Sequence, residues 1–198
     1  NNEVLSGIVY AGNSSKKKSI FQTGYFINFI LNDKNKNNVP YFNGEITKPF
    51  IHPVFKDKYK SYAILTILAL INLSIVQGQK IDNIYLSVKE IIEKIINNRY
   101  WISFFCEWLF TLIKILGYQI DYKSKKDYNY FDLINNEFTK LELENTIIFP
   151  HNLLNHGNKT NYENVNNIFI IFENIYCKNH LDNINYKMPQ VFFKFKEI

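Results

Sequence analysis

The chain has 198 residues, 46% of them hydrophobic and 17% aromatic, with a formal net charge of +5. The apolar content excludes a disordered chain, and the length allows a sizeable core in one domain or two small ones. Residues 1–60 carry nine lysines against four acids, the whole of the excess, and such asymmetry points to a polyanion or an anionic surface as partner.

The chain does not begin with Met, and its first residues lead straight into a strand-like run, so a preceding piece of the natural protein is expected. Residues 4–11 (VLSGIVYA) read as a strand and residues 12–19 (GNSSKKKS) as a basic loop. Residues 20–31 read as a second strand, with β-branched and aromatic residues alternating around Gly24. A polar turn over 32–38 precedes a third strand at 40–46, and the two prolines within 48–53 mark the link out of the sheet. Short strands around a basic loop suit a small barrel rather than a helical layer.

From Lys58 the apolar period changes to that of helices. Residues 62–76 predict an apolar helix followed by Gly78, and residues 86–96 an amphipathic one with Glu90, Glu93 and Lys94 on its wet side. A third helix, within 99–121, organises the core: Tyr100, Phe104, Trp108 and Ile115 fall at helical steps, and Gly117 supplies a left-handed stop. Glu107 and Lys114 cut its apolar run below the ~20 residues that a bilayer requires. Residues 122–144 predict a hairpin or an irregular insertion, and residues 152–154 a short helical turn. Residues 162–177 predict a long helix, and Pro189 introduces a last one over 190–197. The expected class is α+β, with a strand-rich piece at 1–54 and a helical domain at 55–198.

Enzyme signatures are missing: there is no Walker loop, no G-x-G-x-x-G, no G-x-S-x-G and no H-E-x-x-H. Of His52, His151, His156 and His180 only His151 and His156 are close, and their spacing does not stack them on a helix. Cys106 and Cys177 form no C-x-x-C pair and read as buried free thiols. The expectation is a protein that is not an enzyme, without metal or cofactor. With no signal peptide, membrane span or lipidation motif in the sequence, the expected location is the cytoplasm, in association with the nucleoid.

Lys16, Lys17 and Lys18 bridge two strand-like segments, with Tyr10, Phe21 and Tyr25 on either side and Lys48 where the sheet is left. Small barrels that bind single strands use both ingredients: lysines follow the phosphates, and ring faces stack on bases at roughly 1–3 kcal/mol each. Rings facing the barrel interior would be core instead, and the sequence leaves both readings open. It also leaves open a helical scaffold that docks a protein partner without DNA, and a basic segment lying on a membrane surface.

The order of residues resembles the bacterial recombination mediator family RecO. The segment 7–25, G-I-V-Y-A-G-N-S-S-K-K-K-S-I-F-Q-T-G-Y, is similar to that family's strand, basic loop and Q-P-G-N strand, with Thr23 for Pro and Tyr25 for Asn. Residues 41–46 (YFNGEI) stand where the family has a G-x-F-x-x-E-like strand. Residues 112–122 (LIKILGYQIDY) resemble its L-L-x-x-L-G-Y-G-L-D-L helix end, and residues 188–198 (MPQVFFKFKEI) its L-P-x-A-R-x-R-F helix.

The resemblance implies an N-terminal OB-fold lacking its first strands, joined to a helical domain. It implies binding to single- and double-stranded DNA and annealing of complementary strands. With RecR, such a protein helps RecA replace single-strand-binding protein during recombinational repair. Lys16, Lys17 and Lys18 fall on the family's basic loop, as phosphate contacts. Three departures accompany the likeness. Residues 121–130 lack the cysteines of the family's zinc cluster, so no zinc is expected. Glu107, Trp108 and Leu109 reverse a basic-aromatic-acid step tied to the pocket for the acidic tail of single-strand-binding protein. Gln190, Val191, Phe192 and Phe193 stand where the family often has Arg, with Lys194 and Lys196 as substitutes.

Overall fold

The structure, a computed structural model, describes residues 2–32, 39–48, 54, 56–118, 120–155, 161–182 and 186–196. Its N-terminal part consists of β1 (Ile8–Val9), α1 (Ser15–Ile20), β2 (Phe26–Asn32) and β3 (Tyr41–Lys48). β2 pairs antiparallel with β3, and β1 joins the other edge of β3 in parallel, so the order is β1-β3-β2. Among the described residues this sheet is open, and the expected barrel does not close. Successive side chains alternate between its faces. Ile27, Phe29, Leu31, Phe42 and Ile46 share one face, while Asn28, Ile30, Asn43, Glu45 and Tyr41 share the other.

Three expectations need correction here. The strand expected over 4–11 shrinks to Ile8–Val9, because Glu3 and Val4 bridge instead to Lys80 and Gln77 in the turn between two helices. The basic loop expected over 12–19 is largely the helix α1: the Ser14 side chain accepts from the Lys17 backbone N–H, and lysines propagate a turn well. The strand expected from residue 20 begins only at Phe26, since α1 runs to Ile20 and Gly24 turns the chain at φ +85°. Residues 33–38 of the expected turn and 49–53 of the expected link lie outside the described residues.

The helical part contains α2 (Lys58–Ser74), α3 (Ile84–Asn97), α4 (Trp101–Ile115), α5 (His151–Leu154), α6 (Tyr162–Tyr176) and α7 (Gln190–Lys196). α6 continues as a π-helical turn, Cys177–Leu181. Asp57 caps α2 by accepting from the backbone N–H groups of Tyr59 and Lys60, and Asn161 caps α6 through the Glu163 N–H. Gly117, the expected stop of α4, adopts φ +92°, while α2 ends at Ser74, before Gly78, which adopts φ +81° in the turn that follows.

α4 is the central helix, burying Phe105, Cys106, Trp108, Leu109, Phe110, Leu112 and Ile113. Trp108 keeps its indole N–H satisfied by donating to Ser87 Oγ on α3 at 3.0 Å. Burial pushes the Cys106 thiol up, which leaves it unreactive. α6 packs on α4 through Phe169, whose ring meets Phe105 edge-on at 6.0 Å. α7 closes the core by inserting Phe192 between Phe169 and Phe172, at 5.3 and 5.8 Å. α2 is tied to α6 by a 2.7 Å hydrogen bond between Ser74 Oγ and the Tyr176 hydroxyl.

The segment expected as hairpin or insertion forms a second antiparallel sheet, β4 (Tyr130–Asp132), β5 (Glu137–Thr139) and β6 (Thr146–Ile148), in the order β5-β4-β6. It docks on α6 through amides. Asn174 Nδ2 donates to the Leu133 carbonyl at 2.7 Å and to Asn136 Oδ1 at 2.8 Å, while Asn167 Nδ2 donates to the Ile148 carbonyl. The class is thus mixed α+β. No helix among the described residues is long and apolar enough to cross a membrane.

Candidate nucleic-acid interface

α1 stands over the polar face of the β2–β3 pair. Lys17 Nζ donates to Asn43 Oδ1 on β3 at 2.7 Å and lies 5.9 Å from the centroid of the Phe21 ring. Its neighbours Lys16 and Lys18 are exposed. Among the described residues no carboxylate comes within ion-pair distance of any of the three, so their charge is not cancelled locally. Between α1 and the sheet runs an open groove of about 490 Å³, lined among others by Lys16, Lys17, Asn28, Ile30, Asn43 and Glu45.

The aromatic candidates separate. Tyr10, in the turn after β1, is 79% exposed, while Phe21, directly after α1, is half-buried beneath Lys17. Tyr25 is half-buried against the helical core and is not brought to the lysines. Lys48 ends β3 opposite Phe26, and its side chain lies outside the described residues.

The opposite face of the sheet differs in chemistry. Phe29 and Phe42 meet edge-on at 5.2 Å, and a groove of about 430 Å³ runs past them to Leu5 and to Tyr85 of α3. Among the described residues its one charged lining residue is Glu3. A phosphate chain is therefore favoured on the α1 side and opposed on this one.

The other positions singled out in the sequence serve packing. His151 Nε2 donates to the Tyr128 carbonyl at 2.9 Å, with its ring 4.7 Å from that of Phe149. His180 packs between Tyr118 and Tyr176. His52 and His156 lie outside the described residues. Among the described residues no group of His, Cys, Asp and Glu could hold a metal ion. Glu107 pairs with Lys123 at 3.7 Å beside a groove of about 330 Å³ at the end of α4. On α7, Phe192 is core, Lys194 is exposed, and the Lys196 side chain lies outside the described residues.

Asn28, Asn43 and Tyr41 were not singled out in the sequence. Their signal was there in the period-two pattern of β2 and β3, which sets Tyr41, Asn43 and Glu45 on one face, but only the position of α1 shows that this is the face beside the lysines. No protein-family model matches the chain, and no curated protein or solved structure is significantly similar to it.

Proposed function

We propose that the chain is a RecO-like recombination mediator: a protein without bond-making activity that binds single- and double-stranded DNA and anneals complementary strands. Its N-terminal sheet is then the remaining part of an OB-fold. The observation that carries this reading is the trio Lys16, Lys17 and Lys18 on α1, which no carboxylate among the described residues neutralises, standing over a polar sheet face with Phe21 beneath Lys17 and Tyr10 exposed in the turn after β1. The likeness of residues 7–25 and 112–122 to the family's motifs supports it further.

In this mechanism the lysines neutralise phosphates and release counterions, while the exposed rings hold bases. Strands held close together in this way nucleate pairing. RecR and single-strand-binding protein are the protein partners that this role requires, with RecA served indirectly, and the location is cytoplasmic, at the nucleoid. No cofactor takes part.

The test is fluorescence anisotropy of labelled oligonucleotides, single-stranded and duplex, titrated with the full chain at two salt concentrations. Binding that weakens steeply with salt and shows little sequence preference is the expected result. Absence of binding at low salt overturns the reading and turns attention to the helical part as a docking module.

A further inference from the structure

We infer that the groove between α1 and the β2–β3 face prefers a single strand to a duplex, with Tyr41, on the same sheet face beyond the groove lining, as a stacking platform and Asn43 as the residue that positions Lys17. This rests on the DNA-binding reading above and deepens it. Three features of the groove carry the inference.

The first is the form of the Lys17 contact. An ammonium has three N–H donors, and Asn43 Oδ1 takes one at 2.7 Å. Because the partner is an amide and not a carboxylate, the side chain is held in place with its charge intact. Among the described residues no other oxygen acceptor takes the remaining donors, and these would serve phosphate oxygens.

The second is the distribution of charge along the face. β3 presents Glu45, Asn43 and Tyr41 in succession, and β2 sets Asn28, Ile30 and Asn32 opposite them. Lys16, Lys17 and Glu45 all line the groove. One phosphate backbone can follow the lysines while its bases cross the Asn28 and Asn43 amides. A second backbone, as in a duplex, would be brought toward the Glu45 carboxylate and repelled.

The third is the ring. Tyr41 is 45% exposed, lies two residues along the strand from Asn43, and pairs with Ile8 of β1, which leads directly to the exposed Tyr10. A base can stack on such a ring only when its own face is free, which is the condition of a single strand.

The experiment measures the affinity of the full chain for a labelled thymidine homopolymer and for a hairpin duplex, with Tyr41→Ala, Tyr41→Phe and Glu45→Gln alongside the unaltered protein. Tyr41→Ala is expected to weaken single-strand binding roughly 5- to 100-fold. Duplex binding should change by less than about twofold, and Tyr41→Phe should stay within about twofold of the unaltered protein on both. Glu45→Gln is expected to strengthen duplex binding more than single-strand binding. Equal losses on both nucleic acids, or no loss with Tyr41→Ala, overturn the inference and leave the DNA-binding reading standing. Failure of the unaltered protein to bind either oligonucleotide removes both. Without any variant, photocrosslinking to an iodo-pyrimidine single strand should label the peptide containing Tyr41. Crosslinks confined to the Phe29–Phe42 face would overturn the assignment.

Discussion

Lys17 and Asn43 are 26 residues apart in sequence and are joined by a 2.7 Å hydrogen bond, which fixes α1 to the sheet. Because the bond holds a cation without neutralising it, changing the amide to a carboxylate separates position from charge. Asn43→Asp is expected to keep α1 in place and cancel Lys17, which lowers the salt slope of DNA binding by about 1. Replacing Lys16, Lys17 and Lys18 together with Ala should lower it by roughly 2 to 3. Anisotropy over a series of salt concentrations reads both, and an unchanged slope in the triple variant removes α1 from the interface.

Gly44 is needed where β3 meets β2. A Cβ there would come within 2.8 Å of both the Asn28 carbonyl oxygen and Ile27 Cγ2. Gly44→Ala should therefore push the strands apart, at a cost of about 1–3 kcal/mol to the sheet. Amide exchange of β2 and β3 should rise while that of α4 stays slow, and DNA affinity should fall with it.

Asn174 holds the second sheet to α6 through the Leu133 carbonyl and Asn136 Oδ1. Lys178 Nζ also reaches the Leu133 carbonyl, at 2.6 Å, so the acceptor keeps a partner when the amide is removed. Asn174→Leu should cost about 1–2 kcal/mol in urea unfolding, below the penalty for an orphaned carbonyl. A double change with Lys178→Ala should cost more than the sum of the single changes.

Burial pushes the Tyr176 hydroxyl up to about 12, and burial together with the Glu107 carboxylate does the same to Tyr122. In the unfolded chain a tyrosine ionises near 10. Between these values the unfolded chain gives up protons that the folded one keeps. The stabilisation is fully present below about pH 10 and is lost as the pH rises toward about 12. Unfolding free energies across this window should fall by roughly 2–3 kcal/mol on account of Tyr176. Tyr176→Phe should flatten the fall, and at neutral pH it should cost about 1 kcal/mol, because Ser74 retains its bond to the Leu70 carbonyl.

The helices were legible because their signals are local. Gly117 stops α4 where the sequence predicts, and the apolar steps of α4 became its buried face. The sheet was harder to read. Residues 4–11 carry strand-like side chains, but only Ile8 and Val9 join a sheet, on the distant β3, while Val4 bridges to Gln77 instead. Gly24 lies within an alternating pattern, yet its positive φ makes a turn of what reads as a strand. At the candidate interface, the lysines were visible as composition and their arrangement was not. Tyr25 looked equivalent to Tyr10, and packing against the helical core separates the two.

The segment before β1 clasps the turn between α2 and α3. Gly78 N–H donates to the Val4 carbonyl at 2.9 Å, and Ile81 N–H to the Asn2 carbonyl at 2.7 Å. Little chain separates this clasp from Ile8, and Gly7 on the way has no room for a Cβ because the Phe42 ring occupies that space. Sheet and helices are thereby tied together by backbone hydrogen bonds rather than by side-chain packing alone. A side chain at Gly78, where φ is +81°, would strain the turn that this clasp grips and so loosen the joint between sheet and helices.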